Sequence, residues 1–173
     1  QRRRYVTKLM TNKNAKSEYN MIQTFNRRLR TIPRYADYFL TDGIFKCKVK
    51  KLTRKDLKSY TKRCRALGKK NITRRNINSQ LNKVSGLMIP HGGITVSDLI
   101  DTQVNDFVKM QNLFQGMGKL LKYGILPMNN KRVYHGDIKA GNIMVRGSHT
   151  RLIDWGLAFI QSKSKSKSKS GTK

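Results

Sequence analysis

Four polar residues in the last third of the chain, Asp137, Lys139, Asn142 and Asp154, have the types and spacing that transfer of a phosphoryl group requires. Such a transfer leaves a protein little covalent chemistry to do; positioning and charge do most of the work. It needs a carboxylate to orient the attacking hydroxyl, a cation beside the moving phosphate, hard oxygen ligands for magnesium, and a lysine on the non-reacting phosphates. In Tyr134-His135-Gly136-Asp137-Ile138-Lys139-Ala140-Gly141-Asn142-Ile143-Met144-Val145 these groups follow one another in the right order. Asp137 would be the catalytic base, Lys139 would neutralise the γ-phosphate, and Asn142 would hold magnesium. Twelve residues beyond Asn142 stands Asp154-Trp155-Gly156, preceded by the apolar pair Leu152-Ile153. Asp154 would bridge magnesium and the phosphates.

His-Gly-Asp or Asp-Trp-Gly alone is a weak signal. Four polar residues and two spacings agreeing together are a specific one. The set resembles the protein-kinase catalytic loop, His-Arg-Asp with a following lysine and asparagine, and the later Asp-Phe-Gly. That resemblance implies a two-lobed α+β fold, here incomplete: a partial β-rich N-lobe and the first part of a helical C-lobe. It implies ATP and Mg2+ as cofactors, and transfer to serine or threonine hydroxyls of a protein. Gly136 stands where many kinases have the arginine that reads a phosphorylated activation loop, so no such switch is expected. Trp155 stands for phenylalanine and is expected to pack beside His135, with both residues structural.

The resemblance extends upstream. Lys8, on an expected strand, matches the lysine that holds the α- and β-phosphates. Glu18, the only glutamate in the chain, matches its partner on the following helix, although a separation of ten residues is short for the family. Leu87 to Gly93 falls where the family receives adenine on backbone groups. Pro90 lacks an N–H, so those contacts are assigned to Ile89 and His91. Gly92-Gly93 then matches the turn into the C-lobe. The expected organisation is a partial N-lobe and hinge over 1–93, with a basic insertion at about 46–83. The start of the C-lobe, with catalytic loop and metal motif, covers 94–160. A disordered Ser/Lys tail covers 161–173. With no Gly-rich loop before Lys8 and no Ala-Pro-Glu after Gly156, the expectation is a chain truncated at both ends. Its Lys and Asn content and compact N-lobe are similar in style to kinases of large DNA viruses.

The elements that must position these residues are legible in outline. A short strand is expected at Tyr5 to Met10 and a helix over Asn14 to Leu29, with apolar residues at Met21, Ile22, Phe25 and Leu29. Pro33 ends that stretch, and Tyr35 to Leu40 reads as a second strand stopped by Asp42-Gly43. Lys46 to Lys83 reads as a solvated surface insertion, with a short helix near Lys55–Leu67 that brings Leu57, Tyr60, Cys64 and Leu67 to one side. Its sharper alternative is a docking surface for an acidic partner. Val84 to Pro90 is a buried strand, and Thr95 or Ser97 caps a short helix to Ile100. Asn105 to Gly124 is an amphipathic helix, its stripe of Val104, Phe107, Val108, Phe114, Met117 and Leu121 facing the core and Gly124 stopping it.

Composition adds bounds. The 173 residues, 37% of them hydrophobic, suffice for one domain with a core. A net charge of +29 attracts polyanions such as nucleic acid, acidic proteins or phosphorylated ligands. No zinc-finger spacing, aromatic RNA-binding motif or basic zipper points to sequence-specific reading. Cys47 and Cys64 lack the partners of a zinc site and fit a reducing, intracellular compartment: cytoplasm, or host cell and virion for a viral protein. No signal peptide or membrane span is legible, so no membrane partner is expected. Asn71-Ile72-Thr73 matches a glycosylation acceptor only by chance in that setting.

Two other functions fit. His-Gly-Asp also occurs in aminoglycoside and choline phosphotransferases, which share the fold but usually lack a lysine two positions later; Lys139 favours the protein-kinase branch. A kinase-like module that binds partners without turnover is the third reading, favoured by missing segments rather than by substituted residues.

Overall fold

The computed structural model describes residues 5–162. The basic cluster at 1–4 and residues 163–173, nearly all of the Ser/Lys tail expected to be disordered, lie outside the described residues. Helix and strand are mixed, in keeping with an α+β class.

Strand β1, Tyr5–Thr11, runs directly into helix α1, Asn12–Leu29, because Thr11 is both the last strand residue and the helix cap. Its hydroxyl accepts a hydrogen bond from Asn14 N, satisfying one of the free donors of the first turn. No linker intervenes, which is the physical reason that Lys8 and Glu18 are only ten residues apart. Helix α1 buries Ala15, Glu18, Ile22, Phe25 and Leu29, spaced at three and four residues. Strands β2, Phe45–Lys48, and β3, Val84–Pro90, complete an antiparallel sheet in the order β1-β3-β2, with Lys8 opposite Leu87. Side chains alternate across β1: Met10 packs on the core that α1 fills, and Leu9 on a second core beneath the other face.

That second core corrects the reading of Lys46 to Lys83 as a merely solvated insertion. Lys46 to Lys48 belong to β2. Three one-turn helices follow: α2, Arg54–Leu57, α3, Tyr60–Arg63, and α4, Arg65–Gly68. Tyr60, Leu67, Ile72, Ile77 and Val84 are buried together, with Leu57 and Cys64 packed against them. The four residues expected on one side do face one another, but they face a core. Tyr35 to Leu40 is also corrected. Tyr35–Asp37 is a single 3-10 turn, and only Phe39 makes an isolated bridge, to Leu152. The turn forms because Asp37 N and Phe39 N bond back to Arg34 O and Tyr35 O at 2.8 and 2.9 Å, which strand pairing would forbid.

After β4, Ile94–Thr95, helix α5, Val96–Gln103, is capped by Thr95, whose hydroxyl accepts from Asp98 N at 3.0 Å. Helix α6, Phe107–Lys119, does not stop at Gly124. It continues as a π-helical turn, Leu120–Ile125, into α7, Leu126–Asn130. Gly124 is a close-packing site, since a Cβ there would lie 2.8 Å from Tyr38 Cβ. The expected apolar stripe is likewise corrected. Val104, Phe107, Val108, Phe114 and Leu121 are exposed, Phe107 and Phe114 by 78% and 73%. The buried side is the other one: Leu113, Leu120 and Met128, with Met110 and Met117 packed at its edge.

Strands β5, Val133–Tyr134, and β8, Phe159–Ile160, pair with each other. Strands β6, Ile143–Arg146, and β7, His149–Leu152, form a hairpin that β4 joins. One continuous core runs from Ile22, Phe25 and Leu29 of α1 through Phe39 and Leu87 to Leu120, Val133, Leu152 and Trp155. Among the described residues, no helix is long and apolar enough to cross a membrane.

Candidate active site

The twelve-residue interval between Asn142 and Asp154 is a hairpin. Asn142 immediately precedes β6 and Asp154 lies two residues past β7; Ile153 N donates to Asn142 O at 3.0 Å, closing the base of the hairpin. Strand β5 delivers the other strand of the site, leading through His135 and Gly136 into Asp137.

Asp137 is held from two sides. Its Oδ2 accepts from Lys139 Nζ at 2.7 Å and from Asn142 Nδ2 at 2.8 Å, and Asn142 Nδ2 also donates to the Asp137 carbonyl at 2.9 Å. The Lys139 bond, helped by that of Asn142, keeps the Asp137 carboxyl below the usual aspartate range. The carboxylate is therefore ionised and oriented at neutral pH. Its other oxygen makes no hydrogen bond with a described residue and can accept one from a hydroxyl group.

Lys8 joins three distant parts of the sequence. Its ammonium contacts Glu18 Oε1 and Oε2 at 2.9 and 3.2 Å, and Asp154 Oδ1 at 3.0 Å. Burial works against the charge on Lys8, yet the bond and charge of Glu18, with Asp154 behind them, hold its pKa above the ordinary lysine value. Glu18 is buried on α1 and Lys8 is half-buried, so the pair is firmer than a surface contact. Asp154 adopts a left-handed backbone at φ 60° and ψ 72°, a conformation uncommon for a residue with a side chain.

The scaffold beneath is apolar. Trp155 is buried, with ring centroids 4.9 Å from His135, 5.7 Å from Phe39 and 5.9 Å from Phe25. His135 donates through Nε2 to Ile153 O at 2.9 Å, tying the Asp137 segment to the Asp154 segment. Its Nδ1 is buried without a hydrogen-bond partner among the described residues, and burial lowers the imidazole pKa, so the ring is neutral. Gly136 has a geometric reason for being glycine. Its φ is 73°, and a Cβ would sit 2.4 Å from Leu157 O. The resemblance sets Gly136 against an arginine and gives no sign of this close approach; a glycine wedged between His135 and Asp137 was the available signal.

Lys8, Glu18 and Asp154 thus meet at one end, and Asp137, Lys139 and Asn142 at the other, the two sets joined at the hairpin base. Ile89 lies two residues along β3 from Leu87, the partner of Lys8, and His91 follows the strand. Ile89 is half-buried at the end of β3 and His91 exposed beyond it, and no hydrogen bond or ion pair among the described residues joins them to the polar set. As magnesium ligands, Asn142 and Asp154 fit the ion's chemistry. Asn142 spends its N–H groups on Asp137, leaving its amide oxygen as a donor atom, and Asp154 adds a carboxylate. Among the described residues no cluster of three or more His, Cys, Asp or Glu could hold a metal. A small protein ligand set suits magnesium that keeps waters and substrate phosphates for the rest of its shell.

No family model matches the sequence, and no curated protein matches it. Among solved structures 113 chains match. One, in the crystal structure of the yeast RNA Pol II CTD kinase CTDK-1 complex, has a TM-score of 0.40 at 20% identity and covers 47% of this chain. This chain spans 26% of that one. What the site can do follows from its own residues.

Proposed function

We propose that these residues are the nucleotide-binding and phosphoryl-transfer centre of an ATP-dependent kinase acting on serine or threonine hydroxyls of proteins. The observation that carries the reading is Lys8, whose single ammonium contacts Glu18 and also Asp154, 146 residues further along the sequence. A lysine so fixed presents its charge to the non-reacting phosphates of ATP without having to be ordered first. Asp137, ionised and steered by Lys139 and Asn142, accepts a hydrogen bond from the attacking hydroxyl and orients its oxygen toward the γ-phosphorus. Lys139 is within reach of the same space and neutralises charge as the phosphoryl group passes. Asn142 and Asp154 would hold magnesium, which supplies charge neutralisation on the phosphate oxygens. On this reading residues 1–93 and 94–160 are the parts of an N-lobe and a C-lobe, and Ile89 and His91 offer backbone groups to adenine.

Transfer to a small alcohol is the second reading: His-Gly-Asp is also the triplet of aminoglycoside and choline phosphotransferases, and in this chain Gly136 leaves no room for the arginine of the protein-kinase loop. One pair of measurements separates the readings and tests both. Fluorescent ATP-analogue binding is expected to depend on magnesium and to weaken at least tenfold in Asp154→Asn. Magnesium-dependent binding unchanged in that variant refutes the site. Transfer of labelled γ-phosphate to a panel of small alcohols and to no peptide replaces the first reading by the second.

A further inference from the structure

Residues 46–83 hold fifteen lysines and arginines against one acid, Asp56. All fifteen are exposed. They are nevertheless not a floppy basic tail. The segment encloses Tyr60, Leu67, Ile72 and Ile77 in its own core, Thr53 and Asp56 close a capping box, and Asn78 bonds both the N–H and the carbonyl of Leu52 at 2.8 and 2.9 Å. The backbone that carries the cations is therefore fixed, and their mutual repulsion opposes the compact state. One carboxylate cannot neutralise them.

What the segment lacks narrows the ligand. None of the large exposed hydrophobic residues among those described falls within 46–83. Its single aromatic ring, Tyr60, is buried and spends its hydroxyl on Ile72 O at 3.0 Å. A protein partner would need aromatic or aliphatic anchors in the interface centre. Unpaired bases would need a ring to stack on. Neither is on offer within the segment, and the exposed rings at its border, Phe45 and Tyr5, are engaged edge-to-face with each other at 5.5 Å; dense positive charge is on offer. A ligand that presents regular phosphates outward and keeps its bases inside matches that surface. The second core lies under the sheet face opposite α1, so a ligand held there leaves Lys8 and Glu18 open.

We propose that residues 46–83 are a docking surface for double-helical nucleic acid, gripped through its phosphates without reading sequence. The test is fluorescence anisotropy with a mixed duplex of about 20 base pairs over about 50 to 200 mM salt, where phosphate contacts dominate the salt dependence. Two quadruple variants of equal charge are compared. The first carries Lys58→Gln, Lys62→Gln, Arg63→Gln and Arg65→Gln. The second carries Lys13→Gln, Lys16→Gln, Arg27→Gln and Lys119→Gln, all exposed and outside the segment. The first is expected to weaken duplex binding at least about tenfold and to flatten the log–log salt slope by about 0.9 for each phosphate no longer neutralised. The second is expected to change affinity less than about threefold, and circular dichroism is expected to show both folded. DNA and RNA duplexes are expected to compete equally. Equal losses in the two variants overturn the proposal, because affinity would then follow net charge alone. Single strands or polyglutamate binding as tightly as the duplex overturn it as well.

Discussion

Replacing Gly136 with alanine adds one methyl group where the backbone has φ 73° and where a Cβ would lie 2.4 Å from Leu157 O. Two costs follow. A non-glycine residue held in the left-handed region loses about 1–2 kcal/mol. The Leu157 carbonyl must also retreat by about 1 Å to reach ordinary contact, and forced repacking of that kind costs about 1–3 kcal/mol. Leu157 lies between Trp155 and β8, and β8 pairs with β5, so the retreat strains the pairing that delivers Asp137. The expected loss is about 2–5 kcal/mol, a large share of the roughly 5–15 kcal/mol that holds an ordinary domain together. Urea denaturation measures it as a lower midpoint at unchanged slope. Gly118→Ala is the matched control. Gly118 lies inside α6, and a Cβ there would meet nothing within 4 Å, so alanine gains about 0.5–1 kcal/mol of helix stability. Gly136→Arg shares the offending Cβ and is expected to be no better than alanine. A Gly136→Ala midpoint equal to that of the parent, or moving in the same direction as Gly118→Ala, refutes the steric account.

Trp155→Phe is expected to stay within about 1 kcal/mol of the parent in the same assay, because losing ring volume is offset by losing an indole N–H buried without an acceptor, whereas Trp155→Ala costs about 3–5 kcal/mol. His135 makes stability pH-dependent: its folded pKa is depressed, so its contribution is complete above the unfolded value near 6.5 and is lost as pH falls from there through the folded pKa. His135→Phe is expected to flatten the midpoint-versus-pH curve between about pH 7.5 and 5.5, and an unchanged curve counts against a neutral buried ring. Lys8→Met leaves Glu18 buried and unpaired and is expected to cost about 1–2 kcal/mol after discounting for the exposure of Lys8. Adding Glu18→Gln restores most of that stability but not nucleotide binding, and a double variant that binds ATP like the parent removes Lys8 from the site.

The parts of the site that were legible in the sequence are those whose geometry is set by neighbours along the chain. The interval from Asn142 to Asp154 is the length of one hairpin, and the interval from Lys8 to Glu18 is a strand joined to a helix by its own cap. Both spacings are covalent facts that folding only expresses. Which face of a helix is buried is a different kind of fact. Around α6 the chain carries two apolar stripes, one through Phe107, Phe114 and Leu121 and one through Met110, Leu113, Met117 and Leu120, and both keep helical spacing. Periodicity ranks them equally. The choice falls to Gly116 and Gly124, the two points where the helix comes within a methyl group of Thr150 and Tyr38. The same logic joins Gly124, read as a stop signal, to Gly136, read as a replaced arginine: each is a glycine because another part of the chain passes too close for a side chain. Close approach between segments far apart in sequence is what the sequence encodes least directly. At Gly136 it is also what sets Asp137 beside the hairpin that carries Asn142 and Asp154.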